Sequence, residues 1–191
     1  MSWFFKGRGE EGFHRLDDRV WLSQEASDAA LLREYESQRQ QGVRSLIVFF
    51  FEGTFGRLRS RPGFAPEAET WQADGHHSLS YRGPGRAILL FAEHYPLPDT
   101  EERALDQVRR AFPDTPEVVF YCSLDDAFMK AFASEQIKAL LGRLGMKEEE
   151  MVASGWTTEA IRRAQKKIAK KVDFEIKAQS AEEWFERNCP R

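Results

Sequence analysis

Three short, continuous apolar runs constrain the fold of this chain most strongly. They are residues 45–51 (SLIVFFF), 86–92 (RAILLFA) and 117–122 (EVVFYC). Each is too short for a buried helix, and unbroken hydrophobicity over such a length is typical of a strand covered on both faces of a sheet. Three such strands alternating with helices predict a mainly parallel sheet with right-handed crossovers. The predicted core includes Ile47, Val48, Leu89, Leu90, Val119 and Phe120.

Helical patterns fill the intervals between the runs. A helix is predicted over residues 24–41, directly after the N-cap residue Ser23. Two more are predicted over residues 100–112 and 125–144, and a capping pattern that starts at Ser123 opens the second. The alternation of strands and helices predicts an α/β domain with helices on both faces of the sheet.

The segment between Gly53 and Gly85 is rich in glycine and proline and has little periodicity. It is therefore expected to be a long irregular loop, functional or mobile, with room for a short strand at residues 78–81. Within it Arg57, Arg59 and Arg61 alternate along a stretch that is interpreted as extended. Two alternatives are left open: the three side chains face one way and contact phosphates or carboxylates, or, more simply, they belong to a solvated loop.

The C-terminal part is expected to be an extension that packs on the same domain. Ile161, Ala164 and Ile168 have helical spacing after Gly155, and a capping box at Ser180 opens a last helix. Residues 172–178 fit either a strand or a continued helix. The predicted division is an α/β domain over residues 1–156 and an extension over residues 157–191.

Composition excludes several classes of function. A hydrophobic content of 41% favours a packed fold over disorder, and a formal charge of −3 favours neither nucleic acid nor anionic membrane as a partner. The two cysteines, Cys122 and Cys189, have no ligand spacing and form no disulfide framework. The N-terminus lacks the order of a secretory signal, and no apolar stretch is long enough to span a membrane. The sequence therefore predicts a soluble, cytoplasmic protein, and it leaves the oligomeric state open.

The second half of the chain carries five motifs in a fixed order: residues 123–129 (SLDDAFM), 132–134 (FAS), 144–147 (LGMK), 156–157 (WT) and 160–168 (AIRRAQKKI). In order and spacing these motifs resemble the second motor domain of SecA, the bacterial preprotein translocase ATPase. A fainter similarity extends upstream to about Arg19, through residues 87–94 (AILLFAEH) and 105–109 (LDQVR). The resemblance implies a RecA-like domain that runs into the start of the family's scaffold helix.

The family's nucleotide chemistry has no recognisable counterpart in this chain. No lysine follows a glycine, which excludes a phosphate-binding G-x-x-x-x-G-K-[ST] loop. The arginine motif of the family fails after Gln107 and Arg109, where Arg110 is followed by Ala-Phe-Pro. These three residues are candidates for a residual nucleotide or anion contact, and a solvent-facing helix is the simpler interpretation. No cofactor is expected, and the resemblance implies a non-catalytic module that binds or regulates a protein.

Basic residues repeat along the helix that follows Gly155. Arg163, Lys167 and Lys171 are spaced four residues apart, and a second lane precedes them by one residue. This face is a candidate for docking an acidic protein, a membrane surface or nucleic acid, and a solvated helix face is the simpler alternative.

An enzyme or a small-ligand binder is the rival interpretation. Ligands of open α/β sheets bind at the carboxyl ends of the strands, where Glu52, Glu93 and His94 would lie beneath the segment between Gly53 and Gly85. No metal site is predicted, because the adjacent His76 and His77 point apart in a polar loop.

Overall fold

A computed structural model describes residues 13–73, 77–79, 85–112, 114–132, 134–143, 145–153 and 155–189. The strands are β1 (His14–Arg15), β2 (Arg19–Trp21), β3 (Arg44–Phe49), β4 (Thr70–Gln72), β5 (Ala87–Phe91), β6 (Glu117–Ser123) and β7 (Val152–Ala153). The helices are α1 (Gln24–Gln40), α2 (Glu52–Arg59), α3 (Pro98–Ala111), α4 (Ala127–Lys130), α5 (Ser134–Arg143), α6 (Gly155–Ala169) and α7 (Ala181–Asn188).

The strands form one mainly parallel sheet, as predicted. Its order is β4-β3-β5-β6-β2-β7, and β1 pairs with β6 ahead of β2. In register, Leu90 of β5 lies between Ile47 of β3 and Val119 of β6. Among the paired strands, β7 runs antiparallel to β2. The three apolar runs therefore occupy the centre of the sheet, where both faces need apolar cover.

Helices cover both faces, which gives three layers. On one face α1 and α2 pack against Ile47, Leu90 and Val119 through residues such as Leu31 and Leu58. On the other face α3, α4, α6 and α7 pack against Val48, Leu89, Val118 and Phe120. Neighbouring residues of one strand pack against opposite helical layers, because successive side chains of a strand point to opposite faces of the sheet. The six residues predicted for the core are all 0% exposed, so that prediction is confirmed.

The single helix predicted over residues 125–144 is divided in two. The carboxylate of Asp126 accepts hydrogen bonds from the backbone N–H and the hydroxyl of Ser123, at 2.8 and 2.9 Å, and α4 begins only at the next residue. The chain then turns, because the N–H of Phe132 donates to the carbonyl of Met129. This turn brings the Phe132 ring to 5.4 Å from that of Phe128.

The prediction of an irregular loop between Gly53 and Gly85 is wrong at its start. Residues 52–59 form α2, and residues 70–72 form the edge strand β4. The extended interpretation of the arginines is therefore wrong. Arg57 lies on α2 and Arg61 follows just after it, and both pair with the carboxylate of the buried Asp28, at 3.2 and 3.0 Å. Residues 78–79 form no strand, and residues 80–81 lie outside the described ranges.

Residues 172–178 form neither the strand nor the helix that the sequence allowed. The side-chain amide of Asn188 takes the place of a strand partner for Ile176, accepting from its N–H at 2.7 Å and donating to its carbonyl at 2.8 Å. The carboxylate of Glu175 accepts from the Tyr95 hydroxyl and, at 2.8 Å, from the Trp184 indole. Side chains rather than a backbone ladder therefore hold this segment.

The C-terminal helices share the core on the α3 face. Ile161, Ala164 and Ile168 of α6 are buried there, as is Trp184 of α7. Ser180 caps α7 as predicted, its hydroxyl accepting from the N–H of Glu183 at 3.2 Å. The boundary after residue 156 stays a prediction. None of the helices in the described ranges has the length and apolar character that a membrane crossing requires.

Candidate functional site

Glu93 lies at the carboxyl end of β5 and is buried. Its carboxylate accepts from the N–H groups of Phe50 and Phe51, both at 2.9 Å, and from the Thr54 hydroxyl at 2.7 Å. Burial raises its pKa, although these donors and Arg57 oppose the change. Glu93 thus links the end of β3 and the start of α2 to β5. Both of its carboxylate oxygens already accept hydrogen bonds from these groups.

His94 is buried between two carboxylates. Its Nδ1 donates to Glu101 at 2.8 Å, and its Nε2 lies 3.3 Å from Asp18, while the ring stacks on Phe120. Burial alone would lower its pKa, but attraction to Glu101 and Asp18 raises it well above the usual value. His94 therefore acts as a cation of an internal ion cluster.

The same cluster joins segments that are distant in the sequence. Arg15 lies 2.9 Å from Asp18 and 3.5 Å from Glu101. The side-chain amide of Gln165, on α6, donates to Glu101 at 2.9 Å and to the backbone carbonyl of Tyr95 at 2.9 Å. The cluster thus connects the first strands, the start of α3 and α6, which is a structural role.

The enzyme alternative is not favoured by this geometry. The recess beside Glu93 and His94 has a volume of about 30 Å³, far below the roughly 300 Å³ at which ligand sites begin. Glu52 is exposed at the start of α2 and does not join the two buried residues. Among the described residues no three His, Cys, Asp or Glu side chains are placed to hold a metal ion, and His76 lies outside those ranges.

Asp126, which also lines this recess, predicts a pH dependence of stability. Burial, with a contribution from Glu93, raises its pKa to about 7 from 3.8, against the opposing effects of Ser123 and Arg57. A folded pKa above the unfolded one means that the native state holds the proton more tightly. We therefore expect the free energy of unfolding to fall as the pH rises from about 5 to about 7.

Urea titrations of the wild type and of Asp126→Asn at several pH values in that window check this. The variant should show a shallower slope, not a flat line, because the raised pKa values of Glu93 and His94 act in the same direction. Equal slopes for the two proteins would contradict the assignment.

The candidate anion-binding residues lie on α3 and are engaged locally. Arg109 pairs with Asp106 and, at 2.9 Å, with Glu102, and its guanidinium lies over the ring of Phe13. The side-chain oxygen of Gln107 accepts from the N–H of Leu79 at 3.3 Å, and Arg110 is exposed. An anion contact at these residues stays a prediction.

An open groove of about 840 Å³ lies between α4, α6 and α7 and contains two of the predicted docking residues. Its apolar lining comprises Ala127, Ala131, Phe132, Ile168, Phe185 and Cys189. Its basic lining comprises Lys130, Lys167, Lys170 and Lys171, and Glu182 is its acidic residue. In the described part of the chain, the lysines that form ion pairs are Lys138 and Lys177, and neither of them lines the groove. We call this feature the α4–α6–α7 groove.

The structure divides the predicted basic lane. Helix α6 ends at Ala169, and Lys171 follows in a turn. The backbone N–H of Lys171 donates to the carbonyl of Ile168. The turn places Lys171 at the groove together with Lys167, whereas Arg163 lies outside it and contacts Glu159 on its own helix.

Sequence reasoning missed the aromatic lining. Phe132 and Phe185 are 53 residues apart and meet at the groove only because α4 packs beside α7. The one available signal was the placement of Phe185 beside Trp184 in a short capped helix, which indicated an apolar side without showing what it faces.

The sheet, its two helical layers and this groove define an α/β protein of the RecA-like, three-layer class, with an apolar and basic groove on one helical face. No protein-family model matches the chain. Among curated proteins, the chain is 46% identical over 116 residues to protein translocase subunit SecA of Nitrosococcus oceani, an alignment that covers 59% of this chain and 12% of that protein.

Two further relatives agree. SecA of Acidithiobacillus ferrooxidans is 41% identical over 118 residues, with the same two coverages. SecA of Anaeromyxobacter sp. is 47% identical over 55 residues, which are 29% of this chain and 6% of that protein. These matches support a SecA-related protein. The chain spans only a small part, 12% or less, of the length of these relatives.

Proposed function

We propose that this chain is a non-catalytic, SecA-like module that binds a protein. The observation that carries the proposal is the α4–α6–α7 groove, which combines an apolar lining with four lysines in a chain whose formal charge is −3. Concave apolar surfaces with a few placed polar groups are typical of binding sites. The walls that α4 and α6 form also lie within the part of the sequence that resembles SecA most strongly, whereas α7 lies beyond it. Because the relatives are named as translocase subunits, we propose a cytoplasmic partner in protein translocation.

The absence of catalysis is supported by the sequence and by the contacts of α3. Phosphoryl transfer by motors of this class needs a lysine-bearing phosphate loop and a free arginine, and removing such an arginine typically costs about a thousandfold or more in rate. The chain has no Gly-Lys step. Arg109 is held by two carboxylates of its own helix, Asp106 and Glu102.

We expect no ATP hydrolysis above background by the purified protein. A coupled phosphate-release assay on the wild type and on Arg109→Ala measures this. Turnover by the wild type that disappears in the variant would show that the motor chemistry survives, and it would overturn the non-catalytic part of the proposal.

We expect the double variant Lys167→Glu/Lys171→Glu to lose partner capture without unfolding. Both lysines are exposed, so reversing their charge should change the free energy of unfolding by at most about 1 kcal/mol each. The matched control is Arg163→Glu/Lys166→Glu, on exposed residues of the same helix outside the groove. Pull-downs from an extract of the source organism compare the three proteins. Equal capture of the partner by all three proteins would show that the groove is not the binding site.

A further inference from the structure

We propose that the α4–α6–α7 groove binds one amphipathic helix of a partner protein, whose apolar face enters the groove and whose flanking residues are acidic. This inference rests on the proposed protein-binding function and specifies the chemistry of the partner. Laying the apolar face of a helix into a hydrophobic groove is a recurring mode of peptide recognition.

The shape of the groove favours a helix over a flat surface. Its volume of about 840 Å³ falls within the range of about 300 to 1,000 Å³ that is typical of ligand sites, and it is open to solvent. Its largest apolar groups are Phe132 and Phe185, and the small Ala127 and Ala131 also line it. Alanines at these places leave a concave surface into which side chains of a partner fit. A membrane surface is flat and would not reach such a recess.

The charge of the groove favours acidic flanks. Three of the lysines, Lys167, Lys170 and Lys171, come from the last turn of α6 and the residues after it, and Lys130 comes from the end of α4. With Glu182 as the acidic lining residue, the groove has an excess of three positive charges, opposite in sign to the chain as a whole. Complementary carboxylates would steer the partner and set its orientation.

The composition of the groove argues against nucleic acid. No arginine is among its lining residues, whereas arginine is the commonest side chain for reading phosphates and bases in two-pronged contacts. The aromatic rings also support one another: Phe185 contacts Trp184, with ring centroids 5.2 Å apart, and Phe132 contacts Phe128. They form a packed wall rather than rings free to stack on bases.

A displayed library of random helical peptides of about 18 residues, or about five turns, is the probe. The full chain is the bait, and Lys167→Glu/Lys171→Glu is the counter-bait. We expect the enriched sequences to have Leu, Phe or Met at helical spacing with Asp or Glu beside them. The affinity of one enriched peptide, measured by fluorescence anisotropy, should fall as NaCl is raised from roughly 0.05 M to roughly 0.5 M.

Three variants locate the site. Lys167→Glu/Lys171→Glu should weaken peptide binding at least about tenfold, and so should Ala131→Trp, which fills the groove from an exposed position. Arg163→Glu/Lys166→Glu should bind as the wild type does. A urea titration of each variant identifies any that has lost its fold, and the two groove variants test the site independently.

Failure of this inference can be separated from failure of the proposed function. Three results would overturn the helix proposal: no enrichment, enriched peptides without acidic residues, or wild-type affinity for the peptide in both Ala131→Trp and Lys167→Glu/Lys171→Glu. Binding of a single-stranded oligonucleotide or of phosphatidylglycerol vesicles that depends on Lys167 and Lys171, without peptide binding, would also overturn it. ATP turnover that depends on Arg109 would overturn the proposed function instead.

Discussion

Glu101→Ala should lower the free energy of unfolding by about 3–5 kcal/mol, the cost of leaving a buried charge without its partner. Glu101 is 6% exposed and accepts from His94 at 2.8 Å and from Gln165 at 2.9 Å. Burial alone would raise its pKa, but attraction to His94 and Arg15 lowers it, so the carboxylate is charged near neutral pH. Its removal leaves the His94 cation facing one carboxylate instead of two. Urea denaturation followed by tryptophan fluorescence at pH 7 measures the loss.

Glu102→Ala is the matched control one residue further along α3. Its side chain is 57% exposed and pairs with Arg109, and an exposed pair of this kind contributes roughly 0 to 1 kcal/mol. A Glu101→Ala protein as stable as the control would mean that the ion cluster does not hold the fold together.

Leu89→Ala should cost about 2–5 kcal/mol, because it leaves a cavity at the centre of the sheet. Leu89 is 0% exposed, and in register it lies between Leu46 and Val118 on the neighbouring strands. The side chain packs on the face that α3 and α6 cover, and neither helix can move inward without losing its own contacts. A two-state urea titration gives the value.

Leu140→Ala is the surface counterpart. Leu140 lies on α5 with 57% of its surface exposed, so the same truncation removes little burial and should change stability by about 0.5 kcal/mol or less. A loss below about 1 kcal/mol for Leu89→Ala would contradict the burial of the central strand.

The central sheet was predictable because its signal is local. Runs such as residues 86–92 are apolar at every position, and a segment that must be covered on both faces needs no knowledge of its partners to be recognised. The starts of the capped helices α1 and α7 were predictable for the same reason, since Ser23 and Ser180 accept from backbone N–H groups three residues further on.

Features that depend on distant contacts were not predictable. Helix α2 is short and contains two glycines, so its own sequence favours a helix only weakly. Two carboxylates from distant segments stabilise it: Glu93 accepts from the Thr54 hydroxyl, and Asp28 pairs with Arg57. Gly53 also lies so close to residues 179–180 that a Cβ at this position would be 3.1 Å from the Gln179 carbonyl oxygen. The sequence shows the glycine but not the neighbour that requires it.

The candidate site was predictable in part. The spacing of Lys167 and Lys171 predicts a basic face. It also predicts one continuous helix that carries Arg163 on that face, whereas α6 ends at Ala169 and Arg163 lies outside the groove. Glu93 and His94 follow β5, and their roles as an internal anchor and an internal cation depend on Thr54, Asp18 and Glu101, which are distant in the sequence. Spacing within one element predicts what shares a face, and only packing decides what that face meets.

The ion cluster around His94 also bears on how the chain folds as it is synthesised. Asp18, His94 and Glu101 leave the ribosome well before Gln165, which is 64 residues beyond Glu101. A nascent chain that has completed β6 has all the central strands, but α6 has yet to cover the α3 face and Glu101 still lacks its amide donor. Helices α6 and α7 therefore cover the α3 face of the sheet last. Until they emerge, an apolar surface on that face is exposed to chaperones.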